Sequence, residues 1–106
     1  MPDYKAPLRD MHFVLFDVLK VQDSANALPS YAEASPDVVT AILEEAGRFC
    51  ENVLQPLNRS GDEEGCHFEA GTVTTPKGYK EAYAKDAEGG WTGLACDPEF
   101  GGQGLT

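Results

Sequence analysis

The chain has 106 residues, of which 42% are hydrophobic, and a formal net charge of −10. This length allows one small domain that buries roughly 60–65% of its unfolded surface, and the hydrophobic share predicts a folded rather than a disordered chain. The acidic balance argues against nucleic acid and against an anionic membrane surface, because both partners call for lysine and arginine.

Targeting and redox signals are weak in this sequence. No apolar run reaches the ~18–20 residues that span a bilayer, and the start lacks a basic-then-apolar signal pattern. The three cysteines have no tight spacing, which predicts reduced thiols rather than a disulfide framework. We therefore expect a cytoplasmic protein.

The first predicted helix covers residues 9–20 and follows an extended lead-in, Met1–Pro7. Its apolar side chains recur at helical spacing over Leu8–Val21, and most of its circumference is apolar. Lys20 suits the end of such a helix. The next stretch, Gln22–Ala34, has no sustained period and is predicted to be a loop.

The dominant pattern of the chain is a five-turn apolar stripe within Ser35–Leu57. Ser35 can cap the free amides of a helix, and Pro36 suits its first position. Pro56 lacks an amide hydrogen, so the predicted helix covers 36–55 and stops or kinks there.

The segment Asn58–Gly65 reads as a turn-rich acidic connector. Four oxygen-bearing residues match positions one, three, five and twelve of a calcium-binding EF-hand loop: Asn58, Ser60, Asp62 and Glu69. Position six needs glycine for its sharp turn, and here it is Glu63. A solvated acidic loop is the favoured interpretation.

After this connector, Phe68–Thr75 is β-prone but short and is predicted to be an irregular or weakly extended loop. A third helix is predicted over 77–88, ended by Gly89 and Gly90. The expected fold is thus all-α, a small bundle of about three main helices, with no sheet beyond a stray bridge.

No residue qualifies as catalytic, cofactor-binding or metal-binding from its pattern. Four candidates lack the paired spacing of a zinc site: Cys50, Cys66, His67 and Cys96. His12 lies among apolar residues with nothing nearby to orient it as a base. The glycines after Phe100 have no readable βαβ context, so a phosphate site is a weak interpretation.

Taken together, the segment GGWTGLACDPEFGGQGL, preceded by a short helix, resembles the N-terminal α-domain of acyl-CoA dehydrogenases. In that family a loop of this form runs through residues corresponding to Asp97–Leu105. The opening MPDYKAPLRDMHFVLFDVL and the later PLNRSGDEEG are similar to the larger subgroup that includes 3-methylmercaptopropionyl-CoA dehydrogenases.

The resemblance implies a division into an N-terminal extension with one helix, 1–34, and a partial α-domain, 35–106. It implies FAD and an acyl-CoA substrate for the full-length enzyme, whose flavin and glutamate base are held by later domains. The segment itself would be an inactive scaffold that binds no FAD. The alternative is a free-standing helical protein-interaction module. The apolar surplus predicts a homo-oligomer.

Overall fold

The computed structural model describes residues 3–105, and its elements are mainly helical. The helices are α1 (Leu8–His12), α2 (Val21–Ala27), α3 (Pro36–Phe49), α4 (Gln55–Glu64) and α5 (Tyr79–Glu88). A hairpin of two short strands, β1 (His67–Glu69) and β2 (Thr72–Thr74), lies between α4 and α5. The all-α expectation is confirmed at the level of fold class. No helix of this described part is long and apolar enough to cross a membrane.

The first predicted helix is present, but half of it is wound as a π-helix. Helix α1 continues directly into π-helical turns over Phe13–Val18. The N–H of Leu19 donates to the carbonyl of Val14 at 2.9 Å, five residues back. Lys20 then takes a left-handed conformation, with φ of 50°, and ends the segment.

The loop predicted over Gln22–Ala34 is wrong, because α2 occupies its first half. Alanines and an acidic residue in the first turn, Asp23, favour this helix. It ends at Leu28, which is extended with φ of −118° and ψ of 109°. Leu28 precedes Pro29, and a proline disfavours helical angles in the residue before it. A single 3₁₀ turn, Pro29–Tyr31, follows.

The central helix begins as predicted. The hydroxyl of Ser35 accepts a hydrogen bond from the N–H of Val38 at 3.3 Å, and Pro36 occupies the first turn of α3. Because Ser35 is extended while the next residues are helical, its side chain satisfies one of the free amides at the start.

Of the stop or kink predicted at Pro56, the stop does not occur. The chain widens into a π-helical turn over Cys50–Leu54 and continues without a break into α4. The N–H of Gln55 donates to the carbonyl of Cys50, five residues back. Pro56 therefore stands directly after the π-helical turn, in the first turn of α4, which is the position where a helix tolerates proline best.

Residues 58–64 are consequently helical rather than a turn-rich connector. An ion pair between Arg59 and Glu63, at 2.8 Å and four residues apart, supports the exposed face of α4. The helix ends at Gly65, whose φ of 70° suits a glycine. The EF-hand-like residues Asn58, Ser60 and Asp62 thus lie on a helix, which does not provide a calcium loop.

The segment Phe68–Thr75, predicted to be an irregular or weakly extended loop, instead forms most of a β-hairpin. The expectation of no sheet beyond a stray bridge is therefore wrong for this one two-stranded sheet. The strands pair antiparallel, with Phe68 opposite Val73. Ala70 and Gly71 join them with φ of 50° and 80°. Two successive positive φ values match the right-handed twist of a tight two-residue hairpin turn. The helix predicted over 77–88 is confirmed as α5, beginning two residues later.

The assembled chain is open and flat. Its principal extents are 54 × 37 × 17 Å and its radius of gyration is 17.4 Å, whereas a compact chain of this length has about 13 Å. Among residues 3–105, the buried side chains are those of Pro76 and Ala82, the latter 6% exposed. Helix α1 packs against α3, whereas the π-helical turns after it leave Phe13, Val14 and Val18 exposed.

Candidate functional site

The glycine-rich loop, defined here as Asp97–Leu105, folds back on the short segment Trp91–Cys96. Three backbone hydrogen bonds fasten it, from Gln103 to Gly93, from Gly104 to Cys96 and from Leu105 to Leu94, at 3.0, 2.8 and 3.0 Å. The carboxylate of Asp97 accepts the N–H of Glu99 at 2.8 Å and starts the turn of the loop. The loop is thus a closed structure with few free backbone groups.

Two kinds of glycine make this closure possible. Gly101 and Gly104 have φ of 88° and 66°, which other residues rarely adopt. Gly102 has an ordinary φ but lies directly against the carbonyl of Cys96, where a Cβ would overlap backbone atoms. The glycine cluster therefore serves close backbone packing.

The same hydrogen bonds argue against a phosphate-binding site formed by the backbone amides of this loop. The N–H groups of Gly101 and Gly102 donate to the carbonyls of Pro98 and Asp97, at 3.0 and 3.1 Å. With the three bonds above, the five successive amides of residues 101–105 all donate to carbonyls of the loop or of Trp91–Cys96. A phosphate-binding loop must instead aim free N–H groups at its ligand.

Trp91 fixes the glycine-rich loop to the central helix. Its ring lies 6.4 Å from the ring of Phe49, centroid to centroid, with the planes tilted by 32°. At the far side of the loop, Leu94 and Leu105 face Ile42 across a groove. By contrast, Phe100 at the tip is 82% exposed. The loop thus has a packed base and an uncovered aromatic tip.

Two apolar grooves flank the central helix. The tyrosine groove has a volume of about 510 Å³ and is lined mainly by Tyr4, Leu54, Leu57, Tyr79 and Tyr83. The leucine groove, of about 300 Å³, lies on α3, whereas the tyrosine groove follows the π-helical turn and α4. The leucine groove is lined mainly by Leu15, Leu28, Ile42, Leu94 and Leu105. Both have the apolar lining of a binding or packing site, with few polar groups to orient a small ligand.

The floor of the tyrosine groove is a close contact between α4 and α5. The ring of Tyr79 lies on Gly61, where a Cβ would overlap it, and Leu57 packs against Gly78. Ala82 is buried in the same contact. Small residues at a crossing allow two helices to approach closely, so these positions set the distance between α4 and α5.

Glu51 holds the N-terminal segment against the central helix. Its carboxylate accepts the N–H of Ala6 at 3.0 Å and lies 3.5 Å from the Lys5 ammonium. One turn earlier, Ala6 contacts Gly47, where an added Cβ would come within 3.0 Å of the alanine methyl. The segment therefore crosses α3 at a glycine and is fastened by a half-buried carboxylate.

The backbone hydrogen bond from Ala6, followed by the charge of Lys5, lowers the pKa of Glu51 below its ordinary value. At pH values above the ordinary pKa of glutamate, the lowered pKa of Glu51 stabilises the folded arrangement. This stabilisation is lost as the pH falls through the lowered pKa.

We expect the amide resonance of Ala6 to titrate with a midpoint below that of an ordinary glutamate in pH-dependent NMR. In Glu51→Gln this titration should vanish, and a wild-type midpoint at or above the ordinary range would contradict the contact.

The remaining candidates of the sequence are not brought together. Cys50, Cys66 and Cys96 are free thiols, and residues 3–105 hold no group of three or more side chains that could bind a metal. His12 packs against Phe16, at 5.8 Å between ring centroids. The carboxylate of Glu64 accepts the backbone N–H of Lys77 at 3.0 Å. Glu51 and Glu64 are thus both engaged with backbone N–H groups.

Three curated proteins resemble this chain, and all are acyl-CoA dehydrogenases by name. The 3-methylmercaptopropionyl-CoA dehydrogenase of Ruegeria pomeroyi is 42% identical over 102 residues, covering 96% of this chain and 17% of that protein. The broad-specificity linear acyl-CoA dehydrogenase of Mycobacterium tuberculosis is 29% identical, covering 96% and 17%. The butyryl-CoA dehydrogenase of Syntrophomonas wolfei is 31% identical, covering 83% and 15%. No family model matches the chain.

The described part is a mainly helical segment with a closed glycine-rich loop and two apolar grooves. The comparisons show that the chain resembles a fragment of an acyl-CoA dehydrogenase. It spans about 15–17% of the length of the curated relatives that it matches.

Proposed function

We propose that this segment is part of the N-terminal α-helical domain of an FAD-dependent acyl-CoA dehydrogenase. Residues 1–34 form an extension and residues 35–106 a partial α-domain. In the whole enzyme the segment packs against the catalytic domains and helps to wall one side of the acyl pocket. The observation that carries this proposal is the 42% identity, which runs through nearly the whole segment.

The division of labour follows from the chemistry of α,β-oxidation. The reaction needs a positioned base for the α-proton and a flavin that accepts the hydride on the opposite face. Glu51 and Glu64 of this segment are engaged with backbone N–H groups, and the amides of residues 101–105 donate to carbonyls of the glycine-rich loop or of Trp91–Cys96. These residues suit a support role and do not fit a flavin phosphate site. Base and flavin would come from the rest of the enzyme.

A segment exchange tests this role. The matched 102-residue stretch of the Ruegeria pomeroyi enzyme is replaced by this chain, and acyl-CoA oxidation by the chimera is measured against the parent enzyme. We expect a flavin-containing, active chimera, because the supporting surfaces are equivalent. A chimera that folds but carries no flavin and no activity would contradict the proposal.

The isolated chain is expected to bind no FAD and to reduce no electron acceptor with any acyl-CoA. The physical reason is that neither the base nor the groups that would hold the flavin are in the segment. Absorbance spectroscopy of the purified chain after incubation with FAD and gel filtration checks this expectation. A retained yellow flavin spectrum would overturn it.

A second candidate function is a free-standing helical module that binds a partner protein. The observation that favours it is the large solvent-exposed surface of the chain. The chain exposes 7998 Å², about 2,200 Å² more than a compact monomer of its size. A stable interface needs roughly 800 Å² from each partner. The two functions differ in the segment exchange, since an independent module would not restore flavin uptake.

For the isolated chain, the same surplus surface leads us to propose self-association. The face Phe13–Leu19 of the first helical segment is largely exposed and apolar, and the acidic net charge opposes unlimited growth. Sedimentation equilibrium should give a small oligomer whose mass rises with concentration. A strictly monomeric species at high micromolar concentration would show that the surplus surface stays in water.

A further inference from the structure

The hairpin β1–β2 is a two-stranded sheet whose two edges are open within the described part of the chain. Every residue of both strands is exposed. Phe68 lies directly opposite Val73 in the antiparallel register, and the two side chains are 74% and 62% exposed. A hairpin of this size without a packed face is marginally stable in water. A further strand at one of its edges would therefore stabilise it.

The register fixes which backbone groups point out of this sheet. Because the turn has two residues, Glu69 and Thr72 are the hydrogen-bonded pair that closes the hairpin. Bonded and non-bonded pairs alternate along an antiparallel ladder, so Phe68 and Val73 are a non-bonded pair. The N–H and C=O of Val73 thus point away from β1, and neither bonds the backbone of another element within residues 3–105.

The outer edge of β2 lacks the features that usually prevent strands from pairing. Charged side chains and proline protect a strand edge from other chains. Residues 71–75 contain neither, and their threonines and valine favour a strand. By contrast, β1 contains the charged residue Glu69 and comes shortly after the acidic end of α4, Glu63 and Glu64. The hairpin therefore has one protected edge and one unprotected edge.

A second copy of β2 fits the unprotected edge. About a twofold axis at Val73, an antiparallel edge is complementary to itself, because each Val73 N–H meets the C=O of the other copy. Opposite side chains share a face, so two valines and two copies of Phe68 form one apolar row across four strands. The edge is neutral, which matters because two chains of net charge −10 repel each other elsewhere.

We propose that two copies of this chain pair antiparallel through β2, with Val73 opposite the same residue of the second copy, and so build a four-stranded sheet. The inference deepens the proposed self-association and rests on it, and it assigns a surface other than the face Phe13–Leu19. Strands of three residues make a small contact, so the dimer is weak and depends on concentration.

The register predicts one specific cross-link. Thr72 lies opposite Thr74 of the second copy in a non-hydrogen-bonded pair, with a Cα separation of about 4.5 Å, which a disulfide can bridge. Two copies of Thr72, or two of Thr74, are diagonal neighbours roughly 7–8 Å apart. With the native cysteines replaced by serine, a mixture of Thr72→Cys and Thr74→Cys chains should form a disulfide under mild oxidation roughly tenfold faster than either chain alone.

A second experiment removes the hydrogen bond at the twofold axis. Val73→Pro lacks the outward N–H, which the ladder of the hairpin itself does not use. Val73→Thr is the matched control, since it keeps the N–H and the preference for a strand. In sedimentation equilibrium at moderate salt, which screens the net charge, the proline variant should associate about tenfold more weakly than the threonine variant. Equal association of the two variants would overturn the pairing.

The outcomes separate the pairing from self-association in general. A mixture that cross-links no faster than its single components, in a sample that sedimentation shows to be associated, would overturn the β2 pairing and leave self-association intact. A strictly monomeric wild-type chain at high micromolar concentration would overturn both. Flavin uptake by the chimera is a separate readout, since the pairing needs only the hairpin.

Discussion

Replacing Gly102 by alanine is expected to open the glycine-rich loop and to lower the free energy of unfolding by about 3 kcal/mol. The new Cβ would overlap the carbonyl of Cys96, which is a backbone atom and cannot rotate away. To make room, the loop must give up its hydrogen bonds to residues 93–96. Urea unfolding followed by the fluorescence of Trp91, the single tryptophan of the chain, measures the loss.

The matched control for this variant lies in the same loop contact. At Gly93 a Cβ would meet Gly102 and Gly101 at 3.7 and 3.9 Å, which is ordinary van der Waals contact. Gly93→Ala should therefore change the stability by less than about 1 kcal/mol. Hydrogen exchange at Gly104 and Leu105 adds a local readout, since these amides lose protection only if the loop opens. Equal stability of the two variants would contradict the close approach at Gly102.

The second large effect concerns Gly61 and depends on its partner. Gly61→Ala should destabilise the chain by about 1–3 kcal/mol, because the new methyl overlaps the outer end of the Tyr79 ring and forces that ring out of its contact with α4. With Tyr79→Ala already in place, the overlap is gone. The same substitution should then stabilise α4 by up to about 1 kcal/mol, since alanine favours a helix over glycine.

A double-mutant cycle by urea unfolding measures this reversal of sign. The four proteins are the wild type, the two single variants and the double variant, and the coupling energy isolates the contact. An alanine at 61 that stabilises the chain with Tyr79 intact would show that the ring does not rest on the glycine.

The apolar period predicted the helices that carry a long one-sided stripe. Helix α3 and its Ser35 cap follow directly from the spacing and the capping chemistry. Helix α5 follows from its own spacing and the glycines that end it. These signals are local, so the sequence alone contains them. The resemblance of the DPEFGGQGL loop to acyl-CoA dehydrogenases likewise needed no coordinates.

The errors share a physical cause, since a proline, asparagine or glycine does not by itself end a helix. Pro56 was expected to stop or kink the central helix, but the helical backbone continues past it after the π-helical turn Cys50–Leu54. In the same way, Asn58 and Gly61 suggested a turn although they lie in α4. Whether a proline or glycine breaks a helix depends on the backbone bonds around it, which the residue type alone does not reveal.

The apolar periodicity of the sequence does not predict contacts between elements that are distant along the chain. Gly61 under Tyr79, and Ala6 fastened by Glu51 across Gly47, join residues far apart in sequence. A glycine on the inward face of a helix is the signal that could have marked two of them, because it costs helix stability unless something packs closely there. The hairpin was missed since its strands have three residues each and no buried face to impose alternation.

The central claim is that this segment supports flavin binding by domains other than its own. Its most direct test is the molar ratio of flavin to protein in three purified proteins: the Ruegeria pomeroyi enzyme, the same enzyme lacking the matched stretch, and the chimera that carries this chain instead. We predict a ratio near that of the intact enzyme for the chimera and a strongly reduced ratio for the deletion. A chimera as poor in flavin as the deletion would contradict the account.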